Sequence, residues 1–169
     1  MSENAESFGV LFRGLYNDVL RFMERRVADR EDAAELAADV FRVAWQKYDP
    51  QQETSRSWLF AVARNTILDY YRRTGRRDAA TQRLIAQTAT DQGGRDPAEG
   101  DDHPVTEALA LLPEHMQEIL RLRYWEGLDI GEIATVLGIT TPTARVRLHR
   151  ARSRVRELLP AYLNHKEDA

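Results

Sequence analysis

Cysteine is absent from the 169 residues. That removes any disulfide framework and any thiolate metal site, and it fits a reducing interior. The N-terminus shows no apolar run of signal-peptide length, and no window approaches a membrane span. The expectation is therefore a cytoplasmic chain with no membrane insertion. Histidine is scarce: His103, His115, His149 and His165 are scattered and lack ligand spacing, so no metal site is expected. A nucleotide loop, an HExxH pair and a Ser/His/Asp arrangement are all missing, which leaves no catalytic residue and no cofactor to nominate. Convincing strand alternation is missing too, so the chain reads as all-α. Nor is there an excess of positive charge. A net charge of -3 and a pI near 5.8 argue against indiscriminate nucleic-acid binding.

That average conceals segregation. Arginine clusters between Arg56 and Arg77 and again between Arg145 and Arg156, with acid dominating between them. Two basic patches flanking an acidic middle point to two contacts on one polyanion.

The C-terminal patch lies within the most informative stretch, Leu128 to Leu159. Asp129 can cap a helix, with Glu132 placed to close a capping box. Ile130, Ile133, Ala134 and Leu137 then recur at helical spacing. Gly138 supplies a left-handed stop, Thr140 a second cap, and Pro142 fits the first turn of the helix that follows. This is the layout of a helix-turn-helix. At about 100° per residue, Ala144, Leu148, Ala151, Val155 and Leu158 face inwards, while Thr143, Val146, His149, Arg150 and Ser153 face outwards. Arg145, Arg152 and Arg156 form a row on one flank of the outer face, and Arg147 and Arg154 one on the other. A helix in a major groove needs base-reading side chains at its tip and cations along both phosphate walls. A solvated charged face is the plainer alternative. The acids that would neutralise such a face are missing until Glu157, and unpaired arginines repel, so a polyanionic partner is the better explanation.

Upstream, residues 8–28 carry Phe8, Leu11, Phe12, Leu15, Tyr16, Val19, Leu20, Phe22 and Met23 at the spacing of a core-facing helix. Asp29 can cap the next, along which Ala33, Leu36, Ala37, Val40, Phe41, Ala44 and Trp45 form the apolar stripe. Asp32, Glu35, Asp39 and Arg42 lie opposite, as a solvated face or a docking surface for a basic partner; the residues leave both open. Tyr48 to Ser57 should be a loop. Ser57 looks like the cap of a helix running to Gly75, with Phe60, Ala63, Ile67, Tyr70 and Tyr71 on its buried face. Asn65, Asp69 and Arg72 line up on the other, next to Trp58, Val62 and Arg73. Aromatics beside arginines and an amide suit unpaired bases, which offer a stacking face and a free Watson–Crick edge. An all-core role for the aromatics stands equally open.

From Arg76 to His103 large apolar groups nearly vanish while Gly and Asp crowd together. Such a segment cannot bury enough to fold by itself, so it reads as a flexible acidic linker, with a short helical piece near Thr81 to Gln87. Val105 to Leu112 reads as a short helix and Pro113 as the start of another. In that second helix Met116, Ile119, Leu120 and Arg123 to Trp125 close a small core. The architecture expected is two small helical domains, 1–77 and 105–165, joined by a linker at 78–104.

In this order the pieces resemble the extracytoplasmic-function (ECF) group of bacterial sigma factors. DREDAAELAADVFRVAWQKY is similar to that family's acidic helix that docks on RNA polymerase's clamp helices. SRSWLFAVARNTILDYYRRTGRR is similar to its −10 helix, and LPEHMQEILRLRYWEGLDIGEIATVLGIT with TARVRLHRARSRV to its −35 domain. The resemblance places Asp32, Glu35, Asp39 and Trp45 on the polymerase surface. It places Arg64, Asn65, Asp69, Arg72 and Arg73 at or near the melted −10 strand, with the Asp49 to Arg56 loop as a pocket wall for an extruded base. Thr143, Arg145, Val146, Arg147, His149 and Arg150 would face the −35 duplex. It further implies core polymerase (clamp helices and flap) and promoter DNA as partners, an anti-sigma protein as regulator, and a linker whose acids mimic nucleic acid near the polymerase active site. Ala144 and Val146 depart from the family's frequent Val and Ser, and an Ile-Thr-Thr-Pro turn replaces a commoner Ser-containing one. Two other functions compete: a stand-alone DNA-binding regulator, and a nucleic-acid-processing enzyme. The second would need clustered carboxylates or a metal site in a basic cleft, which the sequence does not supply.

Overall fold

The computed structural model describes residues 2–52, 55–75 and 108–167, and every regular element among them is helical. The fold is all-α. The chain divides into two compact units, Met1–Gly94 and Arg95–Ala169. The expected helical piece near Thr81 to Gln87 and the whole of the expected acidic linker, 78–104, lie outside the described residues.

The first unit contains α1 (Ser2–Glu24), α2 (Arg30–Lys47) and α3 (Arg56–Thr74). All three pairs of helices pack together. Their core joins Val19, Phe22 and Met23 of α1 to Leu36, Val40 and Phe41 of α2 and to Leu59, Phe60 and Ile67 of α3. Phe22 and Phe60 meet with ring centroids 5.6 Å apart. Helix α1 starts at Ser2, earlier than the apolar pattern indicates. Its first turns are solvated and leave no core signature, although Glu3 favours the helix N-terminus. At its other end the chain turns at Arg25 and Arg26, with the Val27 amide bonded to the Met23 carbonyl at 2.9 Å.

Asp29 caps α2 as its position indicates, accepting from the amides of Glu31 at 2.7 Å and Asp32 at 3.1 Å. The cap of α3 is Ser55, not Ser57. The Ser55 hydroxyl accepts from the Trp58 amide at 3.2 Å, while Ser57 is buried inside the first turn and hydrogen-bonds back to Ser55 at 3.0 Å. With two serines in register, the one whose backbone is extended takes the cap. Tyr70 and Tyr71 are half-buried because their hydroxyls reach partners at the edge of the core. Tyr70 donates to Asp32 at 2.9 Å, and Tyr71 donates to the Arg26 carbonyl at 2.7 Å. Arg26 is itself buried, its guanidinium 3.6 Å from the centre of the Phe22 ring.

The second unit contains α4 (Glu114–Tyr124), α5 (Ile130–Leu137) and α6 (Thr141–Glu167), preceded by a helical turn at 108–110. Helix α6 packs on both α4 and α5. Ile119, Leu122, Leu128, Ile133, Ala144 and Ala151 are fully buried. The α4 core differs from expectation. Leu122 is buried, whereas Met116 is only half-buried and Tyr124 is 60% exposed. Tyr124 sits five residues after Ile119, about 140° around the helix, so it cannot share that face. Arg121 takes a buried place instead, 3.1 Å from Gln117 Oε1 and with its guanidinium 5.3 Å from the Trp125 ring centre. In α5 the stripe is turned slightly, burying Val136 and leaving Ile130 and Leu137 half-buried.

Candidate nucleic-acid interface

The turn that aims α6 is built from local chemistry. Asp129 and Glu132 form a reciprocal capping box: the Glu132 amide donates to Asp129 at 2.8 Å and the Asp129 amide to Glu132 at 3.2 Å. These bonds, the one from the Glu132 amide foremost, hold the Asp129 carboxyl below its ordinary value of 3.8. Arg123 braces the approach by donating to the Leu128 carbonyl at 3.2 Å. Gly138 closes α5 with φ 65° and ψ 35°. A side chain there would meet nothing within 4 Å, so the requirement for glycine is conformational. The Ile139 amide then reaches back to the Ala134 carbonyl at 3.0 Å, completing the reversal. Thr140 caps α6, its hydroxyl accepting from the Thr143 amide at 3.3 Å.

With Ala144, Leu148 and Ala151 buried, the opposite face of α6 is presented outwards. Thr143, Arg145, Val146, His149 and Arg150 are exposed there, and Arg147 is half-buried. Val146 is 48% exposed, an aliphatic side chain among cations. The Thr143 hydroxyl lies 2.8 Å from that of Thr140, so the tip of the helix is already hydrogen-bonded. Among the described residues no carboxylate pairs with Arg145, Arg147, Arg150 or Arg152. Arg154 does have one, Glu157 at 2.8 Å.

The other nominated set is less uniform. On α3, Asn65, Asp69 and Arg72 are exposed and Arg64 half-buried. Asp69 and Arg72 pair with each other at 2.7 Å. Arg73 faces a different neighbourhood, an open groove of about 180 Å³ between α2 and α3 lined also by Asp32, Glu35, Asp39 and Tyr70. Residues nominated for DNA and for polymerase thus meet at one groove. Asp32 has a further role that the sequence did not disclose, tying α2 to α3 through Tyr70. Asp39 is paired with Arg42 on its own helix. Trp45, placed by periodicity on the buried stripe, is 47% exposed. Its ring packs edge-on against Phe8 at 5.0 Å. Phe8 comes from α1, so the core pattern of α2 alone could not reveal the contact. His115 is exposed. Among the described residues no group of three or more His, Asp or Glu side chains is placed to hold a metal, and no helix is long and apolar enough to cross a membrane.

Comparison with known proteins gives these surfaces a context. Residues 11–77 match the Sigma-70 region 2 family and residues 103–155 the Sigma-70 region 4 family. The ECF RNA polymerase sigma factor SigL of Mycobacterium tuberculosis is 30% identical over 89% of this chain and 90% of its own. The chain belongs to the ECF sigma factors. It is a DNA-binding protein of transcription initiation, in a family of initiation subunits and not of known enzymes. Among other relatives of this sigma factor, RNA polymerase sigma factor YlaC of Bacillus subtilis is 28% identical over 89% of this chain and 90% of its own. The fold is shared with sigma factor RpoE of Bartonella quintana, solved with the anti-sigma factor NepR: TM-score 0.63, 22% identity, covering 90% of this chain and 96% of that one. It is shared also with CnrH, solved with the cytosolic domain of CnrY: TM-score 0.62, 23% identity, covering 94% and 95%.

Proposed function

We propose that this sigma factor acts in the cytoplasm, docks on core RNA polymerase through α2 and reads two promoter elements with two separate helices. Helix α6 lies in the major groove of the −35 element. Thr143, Val146, His149 and Arg150 face base edges there, and Arg145 and Arg147 face the phosphate walls. Helix α3 captures the melted −10 strand with Arg64, Asn65, Asp69, Arg72 and Arg73. Asp32, Glu35, Asp39 and Trp45 form the polymerase-facing surface. Extruding a base costs a few kcal/mol, which stacking and edge hydrogen bonds on α3 can offset. The polymerase does the bond-making. RpoE was solved with the anti-sigma factor NepR and CnrH with the cytosolic domain of CnrY, and an anti-sigma protein covering these surfaces is the corresponding regulator for this chain.

The observation that carries this reading is the outward face of α6, which follows a capped helix-turn-helix and meets no carboxylate before Glu157. Measuring promoter binding with and without core polymerase tests it. Weak binding alone and sequence-specific binding with core are expected. Tight, specific duplex binding by the chain alone, unchanged by core, would instead make it a stand-alone regulator. Asn65→Ala should impair strand opening, read by permanganate reactivity, more than it impairs duplex binding. Equal loss of both argues against a melting role for α3.

A further inference from the structure

Arg152 and Arg154 stand on opposite flanks of α6 and are held in chemically different ways. Arg154 Nη1 donates to the Glu157 carboxylate at 2.8 Å, so its charge is partly cancelled on its own helix. Arg152 Nε donates to the hydroxyl of Tyr124 at 2.8 Å, across 28 residues of sequence. The Arg152 guanidinium carbon also lies 5.7 Å from the centre of the Tyr124 ring. A phenol is a neutral acceptor, so this contact fixes the arginine without removing its charge. It occupies Nε, and the edge carrying the two terminal nitrogens remains to meet an anion with parallel hydrogen bonds.

Tyr124 is the last residue of α4 and is 60% exposed, so apolar burial does not explain its position. Its described contacts are those to Arg152. Long cationic side chains usually lose much rotamer freedom when they bind, and a partner that holds the rotamer beforehand lowers that loss. Arg152 shares its flank with Arg145 and Arg156, the row that would run along one phosphate wall. We infer that Tyr124 is a positioning residue that holds Arg152 ready for a backbone phosphate of the DNA beside α6. This rests on the reading that α6 lies along duplex DNA, and it adds a residue from another helix to that surface. The contact carries no base information, because every nucleotide presents the same phosphate.

The test uses the chain assembled with core polymerase on a promoter duplex, with affinity measured across a potassium chloride series. Arg152→Ala should weaken binding by roughly tenfold and lower the slope of log affinity against log salt by about 0.9, the value of one phosphate contact. Tyr124→Phe keeps the ring and the fold but loses the acceptor. It should cost about two- to fourfold, equally on duplexes of altered base sequence, and should cost nothing further in the Arg152→Ala background. Arg152→Lys keeps the charge and most of the salt slope but becomes insensitive to Tyr124→Phe. A Tyr124→Phe loss that persists undiminished in Arg152→Ala overturns the proposal, as does an Arg152→Ala variant with unchanged affinity and slope. Scrambling the −35 sequence separates the two levels. If wild-type binding ignores the scramble, the reading of α6 fails and the phosphate grip with it. If binding drops while the Arg152 variants stay silent, only the grip fails.

Discussion

The two helices nominated to touch DNA differ in how their charge is held. On α6, Arg145, Arg147, Arg150 and Arg152 have no carboxylate partner among the described residues, and the inward face is locked by Ala144, Leu148 and Ala151. On α3, Asp69 and Arg72 neutralise each other, and Arg73 lines a groove with Asp32, Glu35 and Asp39. An uncompensated cationic face attracts duplex DNA at a distance and in a salt-dependent way. A face whose charges are already paired gains little from a phosphate until the pairs open. The first is suited to finding a promoter, the second to acting on DNA already brought to it.

The sharpest way to break the contrast is to remove the scaffold of one side. Leu122 of α4 is fully buried, and Leu122→Ala should cost about 2–5 kcal/mol of stability in the second unit. Proteolysis of the variant should then cleave residues 108–159 while sparing α1–α3; equal cleavage of both would show that the units are not separate in stability. Next comes Arg150→Ala, expected to weaken −35 recognition by about 1–3 kcal/mol if the side chain meets a base edge. An unchanged preference in a promoter-selection assay removes Arg150 from the reading set.

Asp69→Asn sharpens the comparison from the other side. It releases Arg72 from an exposed pair, and such pairs contribute only about 0.2–1 kcal/mol. Stability should barely move, while affinity for single-stranded DNA without a −10 sequence should rise about twofold and become more salt-dependent. No change in salt dependence would show that the pair is not what restrains α3. The smallest effect belongs to Asp129. Its carboxyl is held below 3.8 in the folded chain, so the cap's pH-dependent contribution is complete above that value and fades as pH falls through the folded value. The stability gap between wild type and Asp129→Ala, followed by urea unfolding, should narrow on acidification. A gap that widens would contradict the capping role.

Much of this was legible from residues alone, for reasons that differ by element. Asp129, Glu132, Gly138 and Thr140 act within four residues of themselves, so spacing suffices to place the turn and aim α6. The Ala144–Leu148–Ala151 stripe likewise follows from helical period. The misplacements have two causes, long-range contact and local geometry. Periodicity could not show that Trp45 would end half outside against Phe8, or that Tyr124, about 140° from Ile119 and so off the core face, would find Arg152. The cap passed to Ser55 through local backbone geometry, with Ser57 buried in the first turn. Periodicity put Tyr70 and Tyr71 on the buried face but did not show that their hydroxyls find Asp32 and the Arg26 carbonyl across the bundle. A tyrosine at the margin of a buried stripe is the signal that was available, since its ring wants the core and its hydroxyl needs a partner.

The account's central claim is that one chain reads DNA with two helices while core polymerase carries it. The most direct measurement is transcript-start sequencing on a randomised promoter library with core polymerase and either wild type, Arg150→Ala or Asn65→Ala. The account predicts starts below a two-part motif for wild type, with Arg150→Ala relaxing only the upstream part and Asn65→Ala depressing use of the downstream part. Starts that show no two-part motif, or variants that alter both parts alike, would contradict it.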